Sequence, residues 1–146
     1  MNPINSLVLL ACWTLAVSFL ALGCGANGLQ TVEVHGTVTC DGENVETGLV
    51  RFVPIEGTAG PASSGKIEGG QYRIESRGGV PIGKHRVEVD ARKKTGTKVP
   101  ALSDQSILIE ETVRLGSEVY FGRESPLVLD VTADSDGRFN IEIPVE

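Results

Sequence analysis

The stretch VEVHGTVTCDGENVETGLVRFVP (residues 32–54), with GKIEGGQYRIE (65–75) and GVPIGKHRVEVD (79–90) after it, decides the fold. Along 32–40 the side chains alternate: Val32, Val34, Gly36, Val38 and Cys40 share one face, and Glu33, His35, Thr37 and Thr39 the other. A period of two marks a half-buried strand. Asp41-Gly42 follows, a dipeptide that accepts the positive φ angles of a tight hairpin turn. Residues 48–54 are apolar on both faces apart from Arg51, which predicts a strand covered on both sides and closed by Pro54.

Working outward, residues 57–64 are small and Gly-rich and read as a loop. Gly69-Gly70 then joins two alternating segments into a hairpin, with Tyr72 and Ile74 inward and Gln71, Arg73 and Glu75 toward water. Residues 84–91 form a further strand with His85, Val87, Val89 and Ala91 inward. The segment 91–116 alternates imperfectly around Glu110-Glu111 and reads as an extended edge segment, with Ser103-Asp104 as the alternative cap of a short helix. The chain closes on a predicted hairpin: Leu127, Leu129 and Val131, a turn at Asp134-Ser135-Asp136-Gly137, then Phe139, Ile141 and Ile143. Short strands at this spacing, without helical periodicity, predict an all-β, single antiparallel sandwich of about seven strands.

The order VxVxGTVTxDGExVxxGxVRFxP, GxIxxGQYRI, GVPIGKHRVEV and RKKTG…VYFGRESPLVLDV…GRFNIEIP resembles the transthyretin-like, carboxypeptidase-regulatory-like sandwich of many small bacterial lipoproteins. The resemblance implies a seven-stranded, Greek-key-like sandwich over 32–146. It implies no reaction, because the regulatory domain of that family is an appendage to enzymes. Cys40 stands where that family often has an aromatic residue.

Ahead of this domain, residues 7–22 (LVLLACWTLAVSFLAL) form an uncharged apolar run, long for a signal peptide core and short for a membrane span. It ends in Ala21-Leu22-Gly23-Cys24, which resembles a bacterial lipobox, so that residues 1–23 would be a signal, Cys24 the lipidated first residue, and 24–31 a tether. An ordinary secretory signal cut near Gly25-Ala26, or an uncleaved anchor, is the other reading. Every reading exports the domain, and lipid on Cys24 places it in the cell envelope, facing the periplasm or the exterior. Cys12 leaves with the signal, and Cys40 stands alone unless it pairs with Cys24 in an unlipidated product.

The 146-residue chain carries 13 Lys and Arg against 19 Asp and Glu, a net charge of −6, and no Lys or Arg precedes Arg51. An acidic domain repels phosphate backbones, which argues against a nucleic-acid partner. The basic cluster Arg92-Lys93-Lys94 with Lys98 lacks interleaved aromatics and reads as a solvated loop.

Candidate chemistry is sparse. The two histidines, His35 on a polar face and His85 on an inward one, lack ligands at metal spacing. Asp134 and Asp136 are similar to part of a calcium loop, yet a turn between strands uses Asp and Gly on its own account. Trp13 leaves with the signal while Phe52, Tyr72 and Phe139 read as core, so Tyr120-Phe121 is the best candidate contact patch, with packing beneath the 91–116 segment as the alternative. The reading is a non-enzymatic, membrane-anchored envelope lipoprotein without a cofactor, its sandwich a structural or binding module for an envelope protein or polysaccharide. The alternative is a small exported hydrolase or metal-dependent module built on His85, Cys40 or Asp134 and Asp136.

Overall fold

The computed structural model describes residues 28–145; the apolar run and Cys24 lie outside them. The described chain is an all-β sandwich of eleven strands. Its main sheet runs, in hydrogen-bonded order, through β10 (Val128–Val131), β8 (Gly83–Pro100), β4 (Thr47–Pro54), β5 (Ser63–Glu68), β6 (Gln71–Ile74), β2 (Val34–Cys40) and β11 (Ile141–Ile143). The count exceeds seven because short pieces beside turns pair as strands of their own. Among these, β1 (Thr31–Val32) pairs with β7 (Val80–Pro81), and β3 (Glu43–Asn44) folds back on β2.

The turns follow the residues that make them. Asp41 and Gly42 have φ of 52° and 80°, and Gly69 and Gly70 have 58° and 81°. Two successive positive φ angles match the twist of the strands they join, so β2–β3 and β5–β6 close as tight hairpins.

Three expectations are revised and one is sharpened. The strand 48–54 is covered on one side only: Val50 and Phe52 are fully buried, whereas Leu49 is 41% exposed and Arg51 is exposed. That open face, Leu49, Arg51 and Val53, lies among charges, because β8 runs alongside and sets Glu88 between Arg86 at 2.8 Å and Arg51 at 3.6 Å.

Residues 91–116 are extended, as expected, and form no helix; they make a paired ribbon. Strand β8 continues for 18 residues and pairs with β9 (Leu108–Arg114) from Arg92↔Arg114 to Pro100↔Leu108, interrupted by a bulge between Lys94 and Lys98. Asp104 caps no helix; its carboxylate accepts from the Ser106 backbone N–H at 2.9 Å within the connecting turn.

The C-terminal hairpin is absent. β10 pairs with β8, while β11 runs parallel to β2, Ile141 beside Val38. The alternation places Leu127, Leu129, Val131, Phe139, Ile141 and Ile143 inward, though Ala133 is exposed beyond the end of β10, and the nine residues between Val131 and Ile141 exceed an ordinary hairpin loop. They carry the chain from one end of the main sheet's strand order to the other. Finally, part of the expected tether belongs to the fold: Thr31 lies in β1, and the Gln30 carbonyl accepts from Ile82 N–H at 3.0 Å.

The core centres on Phe52, whose ring lies 6.4 Å from Tyr72, 6.1 Å from His85 and 6.4 Å from Phe139. Gly36 admits the crossing segment, since a Cβ there would collide with the Phe139 carbonyl. Phe52→Ala should cost about 3–5 kcal/mol in chemical denaturation, whereas Leu49→Ala on the same strand should stay within about 0.5 kcal/mol.

Candidate functional site

His85 is inward, as expected, and fully buried. Its Nδ1 lies 2.9 Å from the Gly83 carbonyl, which can only accept, so the proton sits on Nδ1. The bare Nε2 has no hydrogen-bond partner and lies within the aromatic cluster. Burial therefore pushes the imidazole pKa down, against the smaller opposing pulls of the Gly83 carbonyl and Asp130.

Cys40 is a buried free thiol, its pKa raised first by burial and then by Asp41 and Glu43. Neither state suits a nucleophile, which needs the thiolate. Cys24, the lipidation candidate, lies outside the described residues.

Asp134 and Asp136 are occupied with their own turn. A hydrogen bond with the Thr132 side chain, then one with its own backbone N–H, holds the Asp134 carboxyl below its usual range, and Asp136 accepts from Arg138 N–H at 2.9 Å. Among the described residues no three His, Cys, Asp or Glu side chains gather as a metal site.

Tyr120 and Phe121 share a 3-10 turn, Glu118–Phe121, whose Ser117 hydroxyl accepts from Val119 N–H. The pair divides between the two roles weighed for it. Tyr120 packs on the core, while Phe121 is 43% exposed with the Arg114 guanidinium 4.2 Å above its ring.

A different surface gathers polar groups. On the outer face of β5, β6, β2 and the segment 138–140 lies an open trough of about 760 Å³. Register builds its centre: Arg73 pairs with His35 across the β2–β6 ladder, and His35 pairs in parallel with Arg138. Arg73, His35 and Arg138 thus stand in one row across β6, β2 and the segment 138–140. Lys66 lines the same trough, with Glu68 and Glu75 also at its walls.

The two guanidinium charges that flank His35 have few ion-pair partners among the described residues. Among the described residues Arg73 has one ion-pair partner, Glu33 at 3.8 Å, with both side chains at least 60% exposed. Among the described residues Lys66 and Arg138 make no ion pair. The amide of Asn140 is held by its oxygen, which accepts from Thr37 N–H at 3.1 Å, so its NH₂ donors stay free.

The outward placement of His35 and Arg73 was readable from alternation. Their alignment with Arg138 was not, because it depends on the parallel return of the last strand.

No family model matches the chain, and no curated protein matches it. Among solved structures the chain is similar to a 9R-lipoxygenase from Cyanothece PCC8801, at 11% identity over 80% of this chain and a TM-score of 0.33. The chain spans 16% of that protein's length, and a likeness of this size carries no argument about fold or activity.

Two outcomes test these assignments. Because the folded His85 pKa is below its ordinary 6.5, the unfolded chain binds the extra proton first. The stability contributed by neutral His85 is complete above that pH and falls as pH drops through the folded value. His85→Asn should flatten this acid-side slope in denaturation measured from pH 7 to 4. Tyr120→Ala should destabilise by about 1–3 kcal/mol, and Phe121→Ala by no more than about 0.5–1 kcal/mol, the worth of an exposed cation–π contact.

Proposed function

We propose that the chain is a non-enzymatic, membrane-anchored envelope lipoprotein, carrying lipid on Cys24, whose transthyretin-like sandwich serves as a binding module. The anchor reading is supported by the uncharged run 7–22 and by Ala21-Leu22-Gly23-Cys24 at its end. Two or three acyl chains at about 0.8 kcal/mol per buried CH₂ hold a protein stably where one does not. With Leu29 set beside Gly60, the stretch from Cys24 to Leu29 spans at most roughly 17 Å, which keeps a lipidated domain close to the bilayer.

One observation favours binding over chemistry: His85 and Cys40, two of the side chains weighed for a reaction, are sealed in the core, and the groups that face the trough are suited to holding. His85 and Cys40 are buried, with pKa values moved away from the imidazolium and thiolate forms. The trough offers guanidinium, ammonium, amide and hydroxyl groups to a ligand lying on the sheet. The partner class this supports is an envelope polysaccharide or protein.

Intact mass spectrometry with membrane fractionation, in a bacterium that processes lipoproteins, tests the anchor. The mature wild-type mass should begin at Cys24 with added lipid, and Cys24→Ser should move the protein to the soluble fraction. A lipid-free mass beginning near Ala26 or Asn27 would overturn the anchor.

A further inference from the structure

We infer that the trough is a binding site for an acidic polysaccharide, one bearing a carboxylate on each sugar ring, laid across the strands along the row Arg73, His35 and Arg138. The inference rests on the binding-module reading above and names the ligand class for it.

The row supplies charge at a fixed pitch. Neighbouring strands lie about 4.8 Å apart, and Arg73, His35 and Arg138 occupy paired positions on three of them. The two guanidinium groups flank His35 and so stand two strand spacings apart, about 9.6 Å; in a 1,4-linked chain of pyranose rings, which turn over from ring to ring, the carboxylates that share a face recur on every second ring, close to that spacing. An extended peptide presents same-face side chains every two residues, about 6.6 Å, and so falls out of step with the row. Guanidinium groups at both ends suit carboxylates, which they bind through two parallel N–H bonds.

The groups beside the row suit the rest of a sugar. The free NH₂ of Asn140 and the Gln71 amide stand next to it, donors and acceptors for ring hydroxyls. Stacking is not the means of recognition, because the one aromatic residue lining the trough, Tyr72, is 4% exposed with its hydroxyl committed to the Phe139 carbonyl at 2.8 Å. Recognition rests on charge and hydrogen bonds. Glu33 is the competitor: its carboxylate occupies Arg73 at 3.8 Å until a ligand carboxylate replaces it.

The test uses the full chain, processed and purified from membranes in a neutral detergent, titrated by calorimetry at low ionic strength. The probes are polygalacturonate, poly-L-glutamate and neutral dextran. Polygalacturonate should bind and dextran should not, and added salt should weaken the binding steeply. Arg73→Gln with Arg138→Gln should reduce affinity about tenfold or more, the loss expected of two charge-assisted contacts. Lys93→Gln with Lys94→Gln, of equal charge change and outside the trough, should leave it within about twofold. Glu33→Gln should tighten binding. Thermal melts of all three variants should match the wild type, since every substituted side chain is exposed. Failure of polygalacturonate to bind, equal binding of poly-L-glutamate, or an unchanged affinity in the Arg73 and Arg138 variant would overturn the assignment. None of these results touches the mass or fractionation of the anchored protein, so the two readings fail separately.

Discussion

Phe52 is the contact on which the two layers depend. Its ring meets Tyr72 from β6, His85 from β8 and Phe139 from the crossing segment, at centroid separations of 6.1–6.4 Å. Edge-on and tilted pairs at this range add to simple area burial. In a chain with 5% aromatic residues most of the aromatic packing falls at one point. Val34, Val50, Ile67, Ile74, Val87 and Val131 fill the space around it and are buried to within 1% exposure. His85 enters this cluster neutral, giving up one hydrogen bond at Nε2, a cost of about 1–3 kcal/mol for an unsatisfied buried group.

The same cluster fixes the site. Tyr72 holds the crossing segment through its bond to the Phe139 carbonyl, and Gly36 leaves room for that segment against β2. The backbone bonds His35 N–H to Gly137 and Phe139 N–H to His35 then bring Arg138 beside His35. Position 138 thus faces the trough because position 139 faces the core. The basic row is a consequence of packing on the opposite side of the same strand.

The fold was legible where local chemistry decides. Period-two alternation placed Val34, Val38, Tyr72, Ile74, Val87 and Val89 inward, and Asp41-Gly42 and Gly69-Gly70 marked their turns. Partner choice was not legible. The strands β10 and β11 each bury one face, and burial alone does not say whether they pair with each other or with β8 and β2. The outer face of β4 was misread for a related reason: Leu49 and Val53 look like core until β8 brings Asp90 and Arg86 opposite them. At the candidate site the polar orientation of His35 and Arg73 could be read, while Arg138 could not be joined to them without the parallel pairing.

The charge distribution separates selectivity from attraction. The ribbon from Arg92 to Arg114 carries five basic and three acidic side chains, leaving eight basic against sixteen acidic in the rest of the chain. On one face of the ribbon Lys94 pairs with Glu110 at 3.1 Å, and Asp90 at its root joins Arg92 and Arg114. Its other face carries Ile107, Ile109 and Val113, each about half exposed. The trough, by contrast, lies in the acidic body, whose field repels polyanions at a distance. A basic row within that field does not gather anions indiscriminately. A ligand gains there only if its charges seat on Arg73 and Arg138 together, so the surrounding carboxylates, Glu33 first among them, set a general repulsion against a local attraction and leave a demand for matching spacing.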